Sequence, residues 1–195
     1  MIKLQTPISE SEIRKLKIGD EVALSGIIVT GRDNAHKLMV DEKPDFIREY
    51  LKESVIYHCG PVVRKNDRDE WEFVSAGPTT SKREEPYQAD VIEEYQVRGV
   101  IGKGGMGEKT LQGLQKTGAV YFHAIGGAGT LIARSVRQIK TVFKLEEFGT
   151  PEAFWVIEVQ DLPLIVTMDS HLGSIHQKID ELSRRVADQL LAGKL

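Results

Sequence analysis

The sequence has a single cysteine, Cys59, in 195 residues. One thiol excludes an internal disulfide, and alone it does not hold a zinc ion or an iron–sulfur cluster. No segment approaches the roughly 18 uninterrupted apolar residues that read as a membrane span, so no transmembrane helix is expected. The first residues, MIKLQTPISESEIRKL, lack the apolar stretch and small-residue cleavage site of a secretory signal, so a cytoplasmic setting is expected. An excess of either charge is missing too. Lys plus Arg number 26 against 29 Asp plus Glu, a formal net charge of −3. That balance supports neither nucleic acid nor a membrane surface as a partner. No GK[ST] triplet occurs, which excludes a Walker phosphate loop. There is no internal repeat of solenoid length.

What remains is an ordinary globular composition, 41% hydrophobic and 28% charged, with length for one domain over residues 1–195. Ser9–Leu16 reads as a short helix and EVALSGIIVTGR as a strand ending near Gly31-Arg32. Pro44 opens a helical segment at its first position, Val55–His58 is a short strand, and Val62–Arg64 and Trp71–Ser75 flank a hairpin loop. Gln88–Tyr95 is the next helix candidate. Two strand, glycine loop and helix units follow in tandem: VRGVI, GKGGMG and EKTLQGLQKTG, then AVYFHAI, GGAGT and LIARSVRQI. This is the sequence form of a parallel α/β layer. Thr141–Leu145, Phe154–Val159 and Leu164–Met168 read as strands. Ile175, Ile179, Leu182, Val186 and Leu190 fall on one face of a closing helix. The expected fold is mixed α/β.

Three constellations could carry chemistry. Gly102, Gly104 and Gly107 match G-x-G-x-x-G between a strand and a helix, but the following strand, AVYFHAI, lacks the acid that would hold a ribose. A more general reading is two adjacent helix N-termini that attract anions, with Lys103 inside one of them. The alternative is that the glycines only allow tight turns. GPTTSKR places Arg83 four residues after Thr79, on one face if the segment is helical, and a guanidinium is a fork matched to a carboxylate. A plain helix cap is the competing reading. In GRDNAHK, Arg32 leaves a strand end, and Asp33 is spaced to pair with His36 and favour its charged form. A capping Asp beside a surface His would look the same. His58, His123, His171 and His176 show no metal-ligand spacing and read as structural.

In the order GRDNAHK, GPTTSKR, GKGGMG, GGAGTL, these segments resemble the β subunit of two-chain class I fumarate hydratases and the related L(+)-tartrate dehydratases. The likeness extends through WVIEVQDLP to the last helix. It implies a swivelling β/β/α domain packed on a larger α subunit whose own cysteines hold a [4Fe–4S] cluster with one iron open to substrate. It also implies a hydro-lyase that interconverts fumarate and (S)-malate, active only as a hetero-oligomer.

Carried over residue by residue, the resemblance gives Arg32 and Arg83 the two substrate carboxylates and Thr79 the role of base toward the C3 proton of malate. Lys103 would contact substrate and stabilise developing charge. Gly104, Gly105, Gly126 and Gly127 would shape the pocket, with Asp33 and His36 in support. No metal ligand is expected in this chain, and Cys59 is expected to be a buried thiol. The chain departs from the family pattern at Glu84, where methionine is usual, and at Gly129-Thr130. Two other readings stay open: a tartrate dehydratase β subunit, and a small-anion binding module without catalysis.

Overall fold

The computed structural model describes residues 1–192. After strand β1 (Ile2–Gln5), helix α1 (Glu10–Ile13) starts at Ser9, whose side chain accepts from the Glu12 backbone while Glu12 reaches back to the Ser9 backbone. This reciprocal cap is what the sequence S-x-x-E encodes. Then come β2 (Glu21–Thr30), α2 (Asp33–Asp41), a 3-10 turn over Asp45–Ile47, and α3 (Arg48–Leu51). Strand β3 (Val55–Tyr57) precedes a hairpin of β4 (Val62–Lys65) and β5 (Trp71–Ser75). A 3-10 turn over Ser81–Glu84 runs into α4 (Glu85–Tyr95), followed by β6 (Gly99–Gly102), α5 (Glu108–Thr117) and β7 (Val120–His123). The remainder is α6 (Gly129–Ala133), β8 (Val136–Phe143), α7 (Leu145–Phe148), β9 (Phe154–Met168) and α8 (Ile175–Leu191).

The main sheet runs β1-β2-β3-β6-β7-β9-β8, and β9 also pairs with β2. The four central strands β2, β3, β6 and β7 are parallel, as the tandem units predict. Strand β9 is antiparallel to both ends of that set. It joins β7 through residues 165–168 and β2 through residues 156–165, closing a small barrel.

Alternation along each strand sorts side chains between two cores. Val55, Tyr57, Ile101, Val120, Phe122, Trp155 and Ile157 point into the barrel. Their neighbours Ile56, Val100, Tyr121, Phe154 and Val156 point outward and are covered by α2, α4 and α5 through Met39, Ile92, Leu111 and Leu114. Trp155 also carries the hairpin, because Trp71 and Phe73 meet its ring edge-on at 5.7 and 5.9 Å. The architecture is mixed α/β, with a closed sheet backed by helices on one side.

Several local expectations are corrected. LIARSVRQI is not one helix: α6 ends at Ala133, and Val136, Ile139 and Val142 belong to β8, drawn into the sheet by pairing with the free edge of β9. The two late strands are one bent strand of 15 residues. Pro44 precedes its helical segment instead of starting it. Residues 33–41, not read as an element, form α2. Helix α8 is capped by Ser174, close to its expected start, but Ile179, Leu182, Val186 and Leu190 are exposed, so it does not close this chain's core.

Candidate active site

The four motifs converge where the parallel strands end, the position at which open α/β sheets place ligands. Arg32 lies two residues past β2, His58 directly follows β3, Lys103 directly follows β6, and Gly126 lies three past β7. The threonine segment is laced between them by backbone bonds. Thr79 N–H donates to the His58 carbonyl at 2.7 Å, Lys103 N–H to the Thr79 carbonyl at 3.2 Å, and Ser81 N–H to the Lys103 carbonyl at 3.0 Å. Thr80 and Lys103 thereby form a parallel bridge. The backbone thus puts Thr79 beside Lys103, and the side chain of Lys103 runs past Gly126, where a Cβ would lie 3.6 Å from its Cδ. Thr79 makes no side-chain hydrogen bond among the described residues.

Arg32 and Arg83 reach the same atom. Asp33 Oδ2 lies 2.7 Å from Arg83 and 3.9 Å from Arg32, and Glu152 stands 3.4 Å from Arg32 on its other side. Glu152 is itself held by the Asn34 backbone N–H at 3.0 Å. Gly60 makes room for the Arg32 head, because a Cβ there would sit 2.6 Å from its Nη1. The two arginines are therefore gathered at one point and lightly paired, with the Arg83 side chain still 58% exposed.

Asp33 and His36 do not pair as expected. His36 is fully buried, with Nδ1 on the Arg32 carbonyl at 2.9 Å and Nε2 at 3.0 Å from the Gln88 side-chain amide. The same amide lies 2.7 Å from Nε2 of His58, whose Nδ1 meets Ser81 Oγ at 2.8 Å, and Ser81 meets the Tyr121 hydroxyl at 2.8 Å. Burial lowers the pKa of His36, and that of His58 further, so the charged forms are disfavoured. Nδ1 of a neutral His36 facing a carbonyl must carry the proton. Gln88 Oε1 faces Nε2 of both rings and accepts the Nε2–H of a neutral His58, while Gln88 Nε2 has no partner among the described residues. The motif histidine is thus a strut under Arg32 that holds the strand end against α4.

The idea of paired helix N-termini fails. The α5 terminus is already occupied by a carboxylate of this chain: Glu85 accepts from Gly107 N–H at 2.7 Å, Thr110 N–H at 3.1 Å and Thr110 Oγ1 at 2.7 Å. Helix α6, at five residues, is too short to supply a second. The glycine loop instead serves close packing. Gly105 has φ +74°, and any Cβ there would run into the His176 ring of α8. With Lys82 and the start of α8, this loop borders a groove of about 390 Å³.

No sequence motif marks Glu84 as a site residue. Its side chain is fully buried and neither carboxyl oxygen has a hydrogen-bond partner. Burial pushes its pKa up to about 7, with Asp33 adding to the shift and Arg83 and Arg32 opposing it. The departure from the family's methionine was its one visible signal.

Cys59 is buried and burial lifts its thiol to about 12, so it is a poor thiolate ligand at neutral pH. Among the described residues no group of three His, Cys, Asp or Glu is placed to hold a metal ion. The residues of this chain do not fit an iron–sulfur cluster. No helix among the described residues is long and apolar enough to cross a membrane.

Fold and site together define an α/β domain that gathers two arginines, a lysine and a threonine at the ends of its parallel strands. The family described as the fumarase C-terminus matches residues 1–179, and the chain belongs to it. A protein from Geobacillus stearothermophilus, provisionally named a class I fumarate hydratase, is 49% identical over 183 residues. These cover 94% of this chain but 35% of that protein. The chain therefore spans about a third of that relative's length. A protein of Methanocaldococcus jannaschii, provisionally named L(+)-tartrate dehydratase subunit beta, is 41% identical over 180 residues, 89% of this chain and 90% of that one. The L(+)-tartrate dehydratase subunit beta of Escherichia coli K12 is 41% identical over 169 residues, 86% of this chain and 83% of its own length.

Proposed function

We propose that this chain is the β subunit of a hydro-lyase acting on four-carbon dicarboxylates, with fumarate and (S)-malate as its substrate pair. One observation carries the reading: Arg32 and Arg83 converge on Asp33 Oδ2 beside a backbone pairing that sets Thr79 against Lys103. A dicarboxylate entering there displaces Asp33 and Glu152 from the guanidinium groups and gains bidentate, charge-assisted hydrogen bonds in their place. Thr79, with no side-chain partner of its own among the described residues, takes the carbon-bound proton. Lys103 supplies positive charge where the carbanion-like intermediate builds up. A threonine hydroxyl is a weak base, and the cationic neighbours Lys103, Arg83 and Arg32 are what stabilise its deprotonated form.

The names of the similar proteins support a partner subunit, and the poor fit of this chain's own residues to a cluster supports placing a [4Fe–4S] centre on that partner. Bound there, the cluster would supply Lewis-acid chemistry toward the hydroxyl added or removed. The chain is active only in that hetero-oligomer, in the cytoplasm, a setting with which a single unpaired thiol agrees. The second reading, L(+)-tartrate as substrate, rests on the names of the Escherichia coli and Methanocaldococcus relatives.

The test is anaerobic co-expression with the cluster-bearing subunit, followed by assays on malate and on L(+)-tartrate. Dehydration of malate only with both chains present is the expected result. A higher kcat/KM on tartrate reverses the choice of substrate. Dicarboxylate binding without turnover in the complex leaves only a small-anion binding module.

A further inference from the structure

Two guanidinium groups, Arg32 and Arg83, face three carboxyl groups, Asp33, Glu152 and Glu84, so the cluster carries one excess negative charge when all are ionised. Glu84 is the odd member. Asp33 and Glu152 touch the arginines, but Glu84 is sealed from solvent with both oxygens unpartnered. The groups that act on it from the packed elements are Asp33 and Arg32 at the start of α2, Arg83 on its own turn, and Tyr121 of β7. Gln88, one helical turn further on, has the other end of its amide buried and unpartnered as well.

We propose that Glu84 is a positioning residue that couples dicarboxylate binding to protonation: its carboxyl takes up one proton when a dianion occupies Arg32 and Arg83. The inference rests on the dicarboxylate reading of the site. Before binding, the two arginines offset the charge of Glu84. A bound dianion neutralises them and adds negative charge beside a group that has no hydrogen bonds to hold it ionised, so the neutral form wins. Glu84 sits at the balance point in the empty chain, where its raised pKa of about 7 makes a small electrostatic change decisive. The protonated carboxyl gains an O–H donor and ceases to compete with substrate for Arg83. A methionine at this position would leave two arginines balanced by two carboxylates around neutral pH, with no group there to titrate. The glutamate therefore makes substrate affinity depend on pH.

The sign follows from linkage. Below the free midpoint Glu84 is already protonated and affinity is flat. Above it each binding event takes up a proton, and Kd for malate rises by up to about tenfold per pH unit. The experiment uses the full chain, alone and with its partner subunit, labelled with 13C at the glutamate carboxyl carbon and the arginine guanidinium carbon. Both preparations are titrated from pH 5 to 9 with and without L-malate. The expected result is one glutamate with a raised midpoint, missing in Glu84→Gln, that moves higher with malate, together with a Kd slope that Glu84→Gln flattens. Malate that shifts the arginine signals but not the Glu84 midpoint overturns the coupling alone. A Glu84 midpoint in the ordinary carboxylate range overturns it too. Malate that shifts neither guanidinium in either preparation overturns the dicarboxylate site and the coupling with it.

Discussion

Replacing Glu85 by alanine tests whether the α5 terminus is a structural joint or a ligand site. Its carboxylate satisfies three donors at the N-terminal end of α5: Gly107 N–H, Thr110 N–H and the Thr110 hydroxyl. Loss of a comparable N-cap costs roughly 1–2 kcal/mol, and removing a charge from the positive end of a helix adds about 0.3–1 kcal/mol. Glu85 is half-buried, so water reaches part of the gap and the lower half of that range applies, about 2 kcal/mol in total. For a chain of this size that lowers Tm by roughly 4–8 °C. Urea unfolding should show a lower midpoint at unchanged m, and Glu85→Gln, which keeps an acceptor but no charge, should fall between. Millimolar sulfate should raise the Tm of Glu85→Ala more than that of the wild type, because the vacated terminus then accepts an outside anion. A loss below about 0.5 kcal/mol, or an equal sulfate response in both proteins, would refute the view that this terminus is filled from within.

Thr79→Ala in the assembled enzyme should leave KM for malate within a few-fold and lower kcat by about 10²–10⁴, the range of one proton-transfer group; a near-normal kcat removes Thr79 from that role. Burial lowers the pKa of His36 and His58 below that of the unfolded chain, so stability should fall as pH drops below 6.5 by up to about 1.4 kcal/mol per pH unit per ring. Urea midpoints from pH 7 to 5 check this, with His36→Gln predicted to flatten the slope. Glu84 works the other way: its raised value makes stability fall as pH rises from about 4.5 to about 7, so Glu84→Gln should gain on the wild type across that window. Leu182→Lys on the exposed stripe of α8 should change the stability of the isolated chain by less than about 0.5 kcal/mol. A larger loss would mean that α8 packs on this chain after all.

How much of this is legible in the sequence depends on the range of the interaction. The Ser9 cap, the Glu108–Thr117 helix and the hairpin around KNDRDE rest on neighbours in the chain, and they stand where the local pattern puts them. The run 131–139 fails because Leu131, Ile132 and Ile139 fit helical spacing while β-branched residues in the same stretch suit an exposed sheet edge, and only the presence of β9 decides. Barrel closure is likewise invisible, since the Glu21↔Ile165 pairing spans most of the chain. At the site the cations and hydroxyls were legible because their types are rare in tight glycine-flanked motifs. Their partners were not. Glu152 and Glu85 stand in stretches with no motif, and their importance comes from whose donors they meet in three dimensions.

On the proposed function, those hidden partners explain how a near-neutral sequence holds an anion site without showing it. The net charge of −3 counts Arg32 and Arg83 together with the carboxylates that hold them, and so averages the site away. Local geometry breaks the symmetry between the two signs. Asp33 reaches Arg83 through one oxygen, and the Arg32–Glu152 approach of 3.4 Å falls short of a good hydrogen bond, leaving buried Arg32 Nε without a partner. An orphaned guanidinium N–H is a donor held in reserve, and leaving it unmet inside the fold costs free energy that a well-placed ligand carboxylate returns on binding. On the dicarboxylate reading, the internal acids keep two like charges at close quarters in the empty chain while matching them too poorly to outcompete a bidentate ligand. Improving either pair would stabilise the fold and weaken the site.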